Sequence, residues 1–199
     1  MRRAIRALAL PTVFVGVLTM AFLLLGCSDS PLAPSGPQNG LDAIGYVESQ
    51  LGSDPFATLD SVGNDPAALG KLIGTIYFDN DTVTVDDKGG TIDLLLGNAV
   101  STLDFPHGAV TAPVVVTAVG LQVPTPWGDV TLYDFGPDGL VFQKAATLSL
   151  NTNLQEGQTL SLYWFDSAVG QWVLQETATV EEEGKVEFHV WHFSKYGIT

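Results

Sequence analysis

The chain has 199 residues, with 22 Asp and Glu against 8 Lys and Arg, a formal charge of −14 and one cysteine. All three arginines lie within the first six residues, so the rest of the chain offers no arginine fork to read phosphates or base edges, and its acidic surface repels polyanions. Nucleic-acid binding is excluded on that ground, and a lone thiol excludes an intrachain disulfide framework.

At the N-terminus, Arg2, Arg3 and Arg6 precede an apolar run from Ala7 to Leu25, and Gly26 stands before Cys27. A basic n-region, an apolar h-region and a small residue before the cut are the parts of a secretory signal. The segment resembles a bacterial lipoprotein signal, with Leu24-Leu25-Gly26-Cys27 as its lipobox. That resemblance implies removal of residues 1–26 and acylation of Cys27, which makes it the lipidation site and the first of 173 mature residues with a net charge near −17. Several acyl chains on one residue pass the threshold for stable anchoring that a single chain does not reach. Ser28 follows the cysteine where Asp would imply inner-membrane retention, so the same resemblance implies a lipid-anchored cell-envelope protein at the outer membrane. The other reading of Ala7 to Gly26 is an uncleaved membrane span, which needs about 20 apolar residues. Such a span has no use for a small residue followed by cysteine.

Residues 27–40 hold three prolines and two glycines and read as a flexible tether. Residues 41–87 are mixed. Ile44, Val47 and Leu51 have helical spacing, and Asp65-Pro66 before Ala67-Ala68-Leu69 has the form of a capped helix start. From Leu72 the texture becomes alternating and β-branched, with Gly, Pro, Asn and Asp between runs. The pattern predicts strands at 75–78, 82–85, 91–96, 102–105, 114–119, 130–134, 146–150, 159–165, 172–176 and 185–193. Many short strands at turn-punctuated spacing imply an all-β fold, an antiparallel β-sandwich. Glu182-Glu183-Gly184-Lys185 reads as a hairpin turn in which Gly184 takes positive φ, and Glu181 to Glu183 as a solvated strand end.

Within residues 88–199, four pieces occur in order: Gly89-Gly90-Thr91-Ile92; Phe105-Pro106-His107-Gly108-Ala109-Val110; Asp134 to Phe142 with Gly136-Pro137-Asp138-Gly139 at its centre; and His192-Phe193-Ser194-Lys195-Tyr196. Together they resemble the ZU-five domain, named for zona occludens proteins and Unc-type netrin receptors. The resemblance implies an antiparallel β-sandwich and a non-enzymatic interaction module with an as yet unknown protein partner. In some relatives a His-Phe-Ser or similar tripeptide is a self-cleavage site. There the Ser194 hydroxyl would attack the Phe193 carbonyl with His192 as base, giving an ester that water opens. The alternative role for His192 follows from alternation along Val186, Phe188 and Val190, which makes it a core-facing histidine.

Other chemistry is sparse. No nucleophile elbow, His-Glu-x-x-His or phosphate loop occurs, and no cofactor is expected. Asp79-Asn80-Asp81 with Asp86 and Asp87 reads either as a solvated acidic loop or as a calcium site, although Val83 at the third ligand position departs from the EF-hand pattern. His107 and His189 have no metal-ligand spacing. The aromatic residues Tyr163-Trp164-Phe165, Trp172, Trp191 and Phe193 suggest either core packing or a glycan platform. Tyr163 and Phe165 share one strand face and Trp164 the other. Trp127, between Pro126 and Gly128, is the candidate for an exposed contact.

Overall fold

A computed structural model of the chain describes residues 40–63, 74–181 and 184–199. The signal segment with Cys27, the tether up to residue 39, the expected helix start at Asp65-Pro66 and the turn residues Glu182-Glu183 lie outside the described residues. Everything described belongs to the compact unit Pro34–Thr199; the other unit, Met1–Ala33, falls wholly outside it.

Alternation along the strands builds two antiparallel sheets facing each other. Strands β1 (Tyr77–Val85), β4 (Val114–Thr125), β5 (Gly128–Gly136), β10 (Lys195–Ile198), β7 (Thr159–Asp166) and β8 (Gln171–Thr179) form one, in the order β1-β4-β5-β10-β7-β8. Strands β2 (Gly90–Leu96), β3 (Ala99–Phe105), β6 (Val141–Asn151) and β9 (Lys185–His192) form the other, in that order. Ile92, Leu94 and Leu96 of β2, Val186, Phe188 and Val190 of β9, and Tyr133 and Phe135 of β5 meet in the core between them. Gly120, midway along β4, lets the sheets approach closely. A Cβ there would sit 3.0 Å from the terminal methyls of Leu94 and Leu96.

The six-stranded sheet is covered on its other face as well. Helix α1 (Gly40–Leu51) carries Ile44, Val47 and Leu51 on one side, as their spacing predicts, and helix α2 (Pro55–Ser61) adds Phe56 and Leu59. These pack against Leu121, Val123, Val130 and Leu132 in a second apolar cluster. Burial on both faces explains why four successive residues of β5, Val130 to Tyr133, are buried where a half-solvated strand would alternate. Asp54 starts α2, its carboxylate accepting the N–H groups of Phe56 and Ala57 at 3.2 Å each, with Pro55 in the first turn.

Three sequence expectations need correction. The expected strands at 75–78 and 82–85 are one strand, β1, and Asp79-Asn80-Asp81 lie inside it and form no loop. As an edge strand with mostly exposed positions, β1 tolerates the charges that would be costly in a central one. The sandwich also begins before residue 88, because β1 pairs with β4 from Tyr77↔Gln122 to Val85↔Val114. Finally, the last strand does not run through Phe193. The chain leaves one sheet at His192 and enters the other as β10, between β5 and β7.

Candidate functional site

At one end of the sandwich the sheets part around a cleft of about 530 Å³. Its floor is apolar and comes from both sheets: Leu96 of β2, Leu150 of β6 and Ile198 of β10 are all buried. Its walls are largely polar, with one charged side chain. Asn98 stands in the β2–β3 turn, Gln122 points inward from β4, and Asn153 and Gln158 come from the β6–β7 connection. Among the described residues, the side chains of Asn98, Gln122 and Asn153 have no hydrogen-bond partner, whereas the Gln158 carbonyl oxygen accepts the Gln155 N–H at 2.7 Å. Thr131 of β5, only 8% exposed, faces the same space, and its hydroxyl likewise has no partner among the described residues. The ring of Tyr77, 44% exposed, forms one rim, and Asp129 is the one side-chain carboxylate among the described lining residues, with no Lys, Arg or His beside it.

Trp127 also borders this cleft, but it does not project as the sequence suggests. It is half-buried, edge-on to Tyr46 of α1 at 5.7 Å, and its indole N–H is buried without a partner among the described residues. The exposed tryptophan is instead Trp191, on the outer face of β9. The alternation expected for Tyr163-Trp164-Phe165 holds: Tyr163 joins the helix-side cluster, Trp164 packs toward the core between the sheets, and Phe165 meets Trp172 at 5.3 Å on the helix side. Trp172 donates to Glu48 of α1 at 2.7 Å.

At the opposite end of β10, His192-Phe193-Ser194 forms the crossing between sheets. Phe193 is buried against Phe105, Phe135 and Phe142. Its N–H donates to Leu140 O at 2.8 Å, and its carbonyl accepts the Gly139 N–H at 3.0 Å. The Ser194 hydroxyl donates to Phe165 O at 2.9 Å, away from the Phe193 carbonyl. His192 is half-buried, not fully core-facing, because the crossing begins at this residue. Its ring packs edge-on to Trp164 at 5.0 Å and places Nδ1 3.5 Å from Phe193 O. The Tyr196 hydroxyl, whose ionisation burial pushes up, donates to His192 O at 2.6 Å. Lys195 fixes the start of β10 by pairing with Asp54 at 2.5 Å, across from Asp134.

The remaining candidates are dispersed. Asp79 accepts the Leu95 N–H at 2.7 Å, Asp81 accepts the Thr82 N–H at 2.7 Å, and Asp86 accepts the Lys88 N–H at 2.8 Å in the β1–β2 turn, where Asp87 is exposed and gives its carbonyl to Gly108. Among the described residues, no three His, Cys, Asp or Glu side chains converge as metal ligands. His107 is exposed in its turn, and its carbonyl accepts Lys144 at 2.7 Å. His189 sits on the free edge of β9, where a bulge in β8 aims two side chains at it: Glu176 accepts the His189 N–H at 2.7 Å and Gln175 donates to its carbonyl. These bonds close the seam between the two sheets.

The cleft residues were missed from sequence. The available signal was a set of amides, Asn98, Gln122, Asn153 and Gln158, at or near strand ends, but only the fold shows that those ends share one end of the sandwich. Compared with protein-family models and with curated proteins, the chain matches none. Among the described residues no helix is long and apolar enough to cross a membrane.

Proposed function

We propose that this chain is a lipid-anchored cell-envelope protein, at the outer membrane, that presents a non-enzymatic, ZU-five-like β-sandwich as a binding module. The anchor rests on Leu24-Leu25-Gly26-Cys27 and its basic and apolar approach. The observation that carries the binding role is the cleft, where unpaired amides and the Thr131 hydroxyl surround an apolar floor. A concave apolar surface with a few convergent polar groups is the usual form of a ligand site. The described lining offers no Ser, Cys, His or Lys, and the binding reading is preferred here to Ser- or Cys-type acyl transfer on that composition. A Cys27→Ser substitution tests the anchor. The wild-type protein is expected in the membrane fraction, with a mature N-terminus bearing acyl mass, and the variant unprocessed and unacylated. A variant processed at the same bond and equally membrane-bound would defeat the reading.

A second reading, self-processing between Phe193 and Ser194, draws support from the Gly139 N–H on the Phe193 carbonyl, where an oxyanion would form. In that step the Ser194 oxygen bonds to the Phe193 carbon as the Phe193–Ser194 amide bond breaks, the hydroxyl proton passing through His192 to the leaving amine; water then hydrolyses the ester. The hydroxyl would first have to leave Phe165 O. Residues 194–199 would stay held between β5 and β7 after cleavage, so intact mass is best read after denaturation. Loss of those residues from the wild type but not from Ser194→Ala would establish it; two whole masses would retire it.

A further inference from the structure

We infer that the cleft at the Thr131 end of the sandwich is a binding site for an uncharged saccharide; this inference rests on the binding-module reading above. Its volume, about 530 Å³, falls in the ~300–1,000 Å³ range of small-ligand sites. The described lining carries no cation to hold a phosphate, sulfate or carboxylate, and Asp129 is its single side-chain carboxylate, where a cation site draws on several. What it offers is primary amides. Each presents an N–H donor and a C=O acceptor side by side, the pair that neighbouring sugar hydroxyls match.

Placement turns this composition into a site. Thr131 is more than nine-tenths buried, yet its hydroxyl has no partner among the described residues, and it faces the cleft. The hydroxyl keeps access to the cleft, whose lining also offers three amides without a protein partner, and together these are the donors and acceptors that a ligand's oxygens would meet. A pyranose also has an apolar C–H face. The Leu96, Leu150 and Ile198 floor and the Tyr77 ring supply the surface for it. An uncharged peptide is the competing class, but extended peptides bind by adding to a free sheet edge. The cleft is instead lined by strand ends and turns, with β5 and β10 both paired on their two sides.

The test uses the full-length protein extracted from membranes in detergent. Maltotetraose, cellotetraose, chitotetraose and a blocked tetra-alanine peptide are each titrated by calorimetry and by tryptophan fluorescence, against Asn98→Ala, Asn153→Ala, Gln122→Met, Trp127→Phe and Trp191→Phe. Saturable binding of at least one saccharide is expected. Each amide removed should weaken it roughly three- to ten-fold, as for loss of one neutral hydrogen bond. Trp191→Phe should leave affinity unchanged, and Trp127→Phe should lose the fluorescence signal while calorimetry still reports binding. Melting curves identify any variant that fails to fold, and the exposed Asn98 and Asn153 are the least sensitive positions. No saturation by any of the three saccharides overturns the inference. Peptide binding with the same amide dependence and no saccharide binding overturns the ligand class but leaves the binding module standing. A saccharide that binds and is shortened during incubation keeps the site and defeats the non-enzymatic reading.

Discussion

Replacing Tyr133 with phenylalanine tests what ties the two sheets together across the core. Tyr133 of β5 is fully buried, Ser101 of β3 is 3% exposed, and their hydroxyls are 2.6 Å apart. Burial pushes the phenol's ionisation up, so the pair is a neutral hydrogen bond across the working pH range. Tyr133→Phe keeps the ring, with its stacking on Phe135 at 5.4 Å, but leaves the Ser101 hydroxyl buried and unpaired. That costs about 1–3 kcal/mol, and Ser101→Ala costs a similar amount by stranding the phenol. In the double variant both polar groups are gone and nothing is left unsatisfied, so its cost should be no larger than either single cost. A double-mutant cycle by urea denaturation should therefore give a coupling of about 1–3 kcal/mol. In thermal melts each single variant should fall by roughly 2–4 °C for every kcal/mol lost. If the double variant instead loses the sum of the two single costs, the bond contributes no coupling and the sheets are held by apolar packing alone.

Other perturbations follow from the same physical terms. Gly89 has φ +95° and stands where a Cβ would fall on the Phe105 carbonyl, so Gly89→Ala should cost at least about 1–3 kcal/mol from backbone strain alone; a melting temperature within error of wild type would refute this. At Asp54 burial pushes the pKa up, but the Lys195 ammonium and the Ala57 and Phe56 amides outweigh it and hold the carboxyl below its ordinary range. Its contribution is therefore present above the ordinary carboxylate pKa and lost as pH falls through the lowered one. Asp54→Ala should cost about 0.5–2 kcal/mol as a lost N-cap at pH 7, with the gap to wild type narrowing in acid. Asp134 has the opposite sign. Burial raises its pKa despite Lys195, with Asp54, Asp138 and Asp60 adding to the rise, so its penalty appears as pH rises through the raised value. Asp134→Asn should match or exceed wild-type stability at pH 7 and lose that advantage near pH 3 in parallel denaturation curves.

Most of the sandwich was legible because its inner faces alternate. Val186, Phe188 and Val190 of β9 and Ile92, Leu94 and Leu96 of β2 declare themselves by period two, and the structure buries all six. The failures have identifiable causes. In β1, Asp79-Asn80-Asp81 carry loop composition because an edge strand has little to bury. In β4, Gly120 and Pro124 read as breakers, yet Gly120 marks a close approach of the sheets and Pro124 sits by the β4–β5 hairpin, paired with Asp129. Lys195-Tyr196-Gly197-Ile198 is too short to show a period, although both its neighbours hydrogen-bond to it. The Gly197 position is fixed by α1, since a Cβ there would meet Ile44 Cδ1 at 2.8 Å. The helices also concealed the site. Covering the outer face of the six-stranded sheet made Val130, Thr131, Leu132 and Tyr133 read as one buried run, and nothing in that run separates Thr131, which opens on the cleft, from its neighbours.

The position of the chain's entry bears on what the cleft can reach. Gly40 begins α1 beside Thr199, whose residue lines the cleft, so the segment from Cys27 joins the described fold at the cleft end. Twelve residues, Ser28 to Asn39, separate the two. Covalent geometry limits that stretch to about 45 Å even fully extended. On the proposed anchoring, that length bounds how far Gly40 can stand from the acylated residue. The uncharged ligand inferred above fits a cleft with a single charged side chain, Asp129, in a molecule that is otherwise strongly acidic. On that inference the acidic residues would keep neighbouring copies apart, while an uncharged ligand in the cleft would be neither attracted nor repelled by their field.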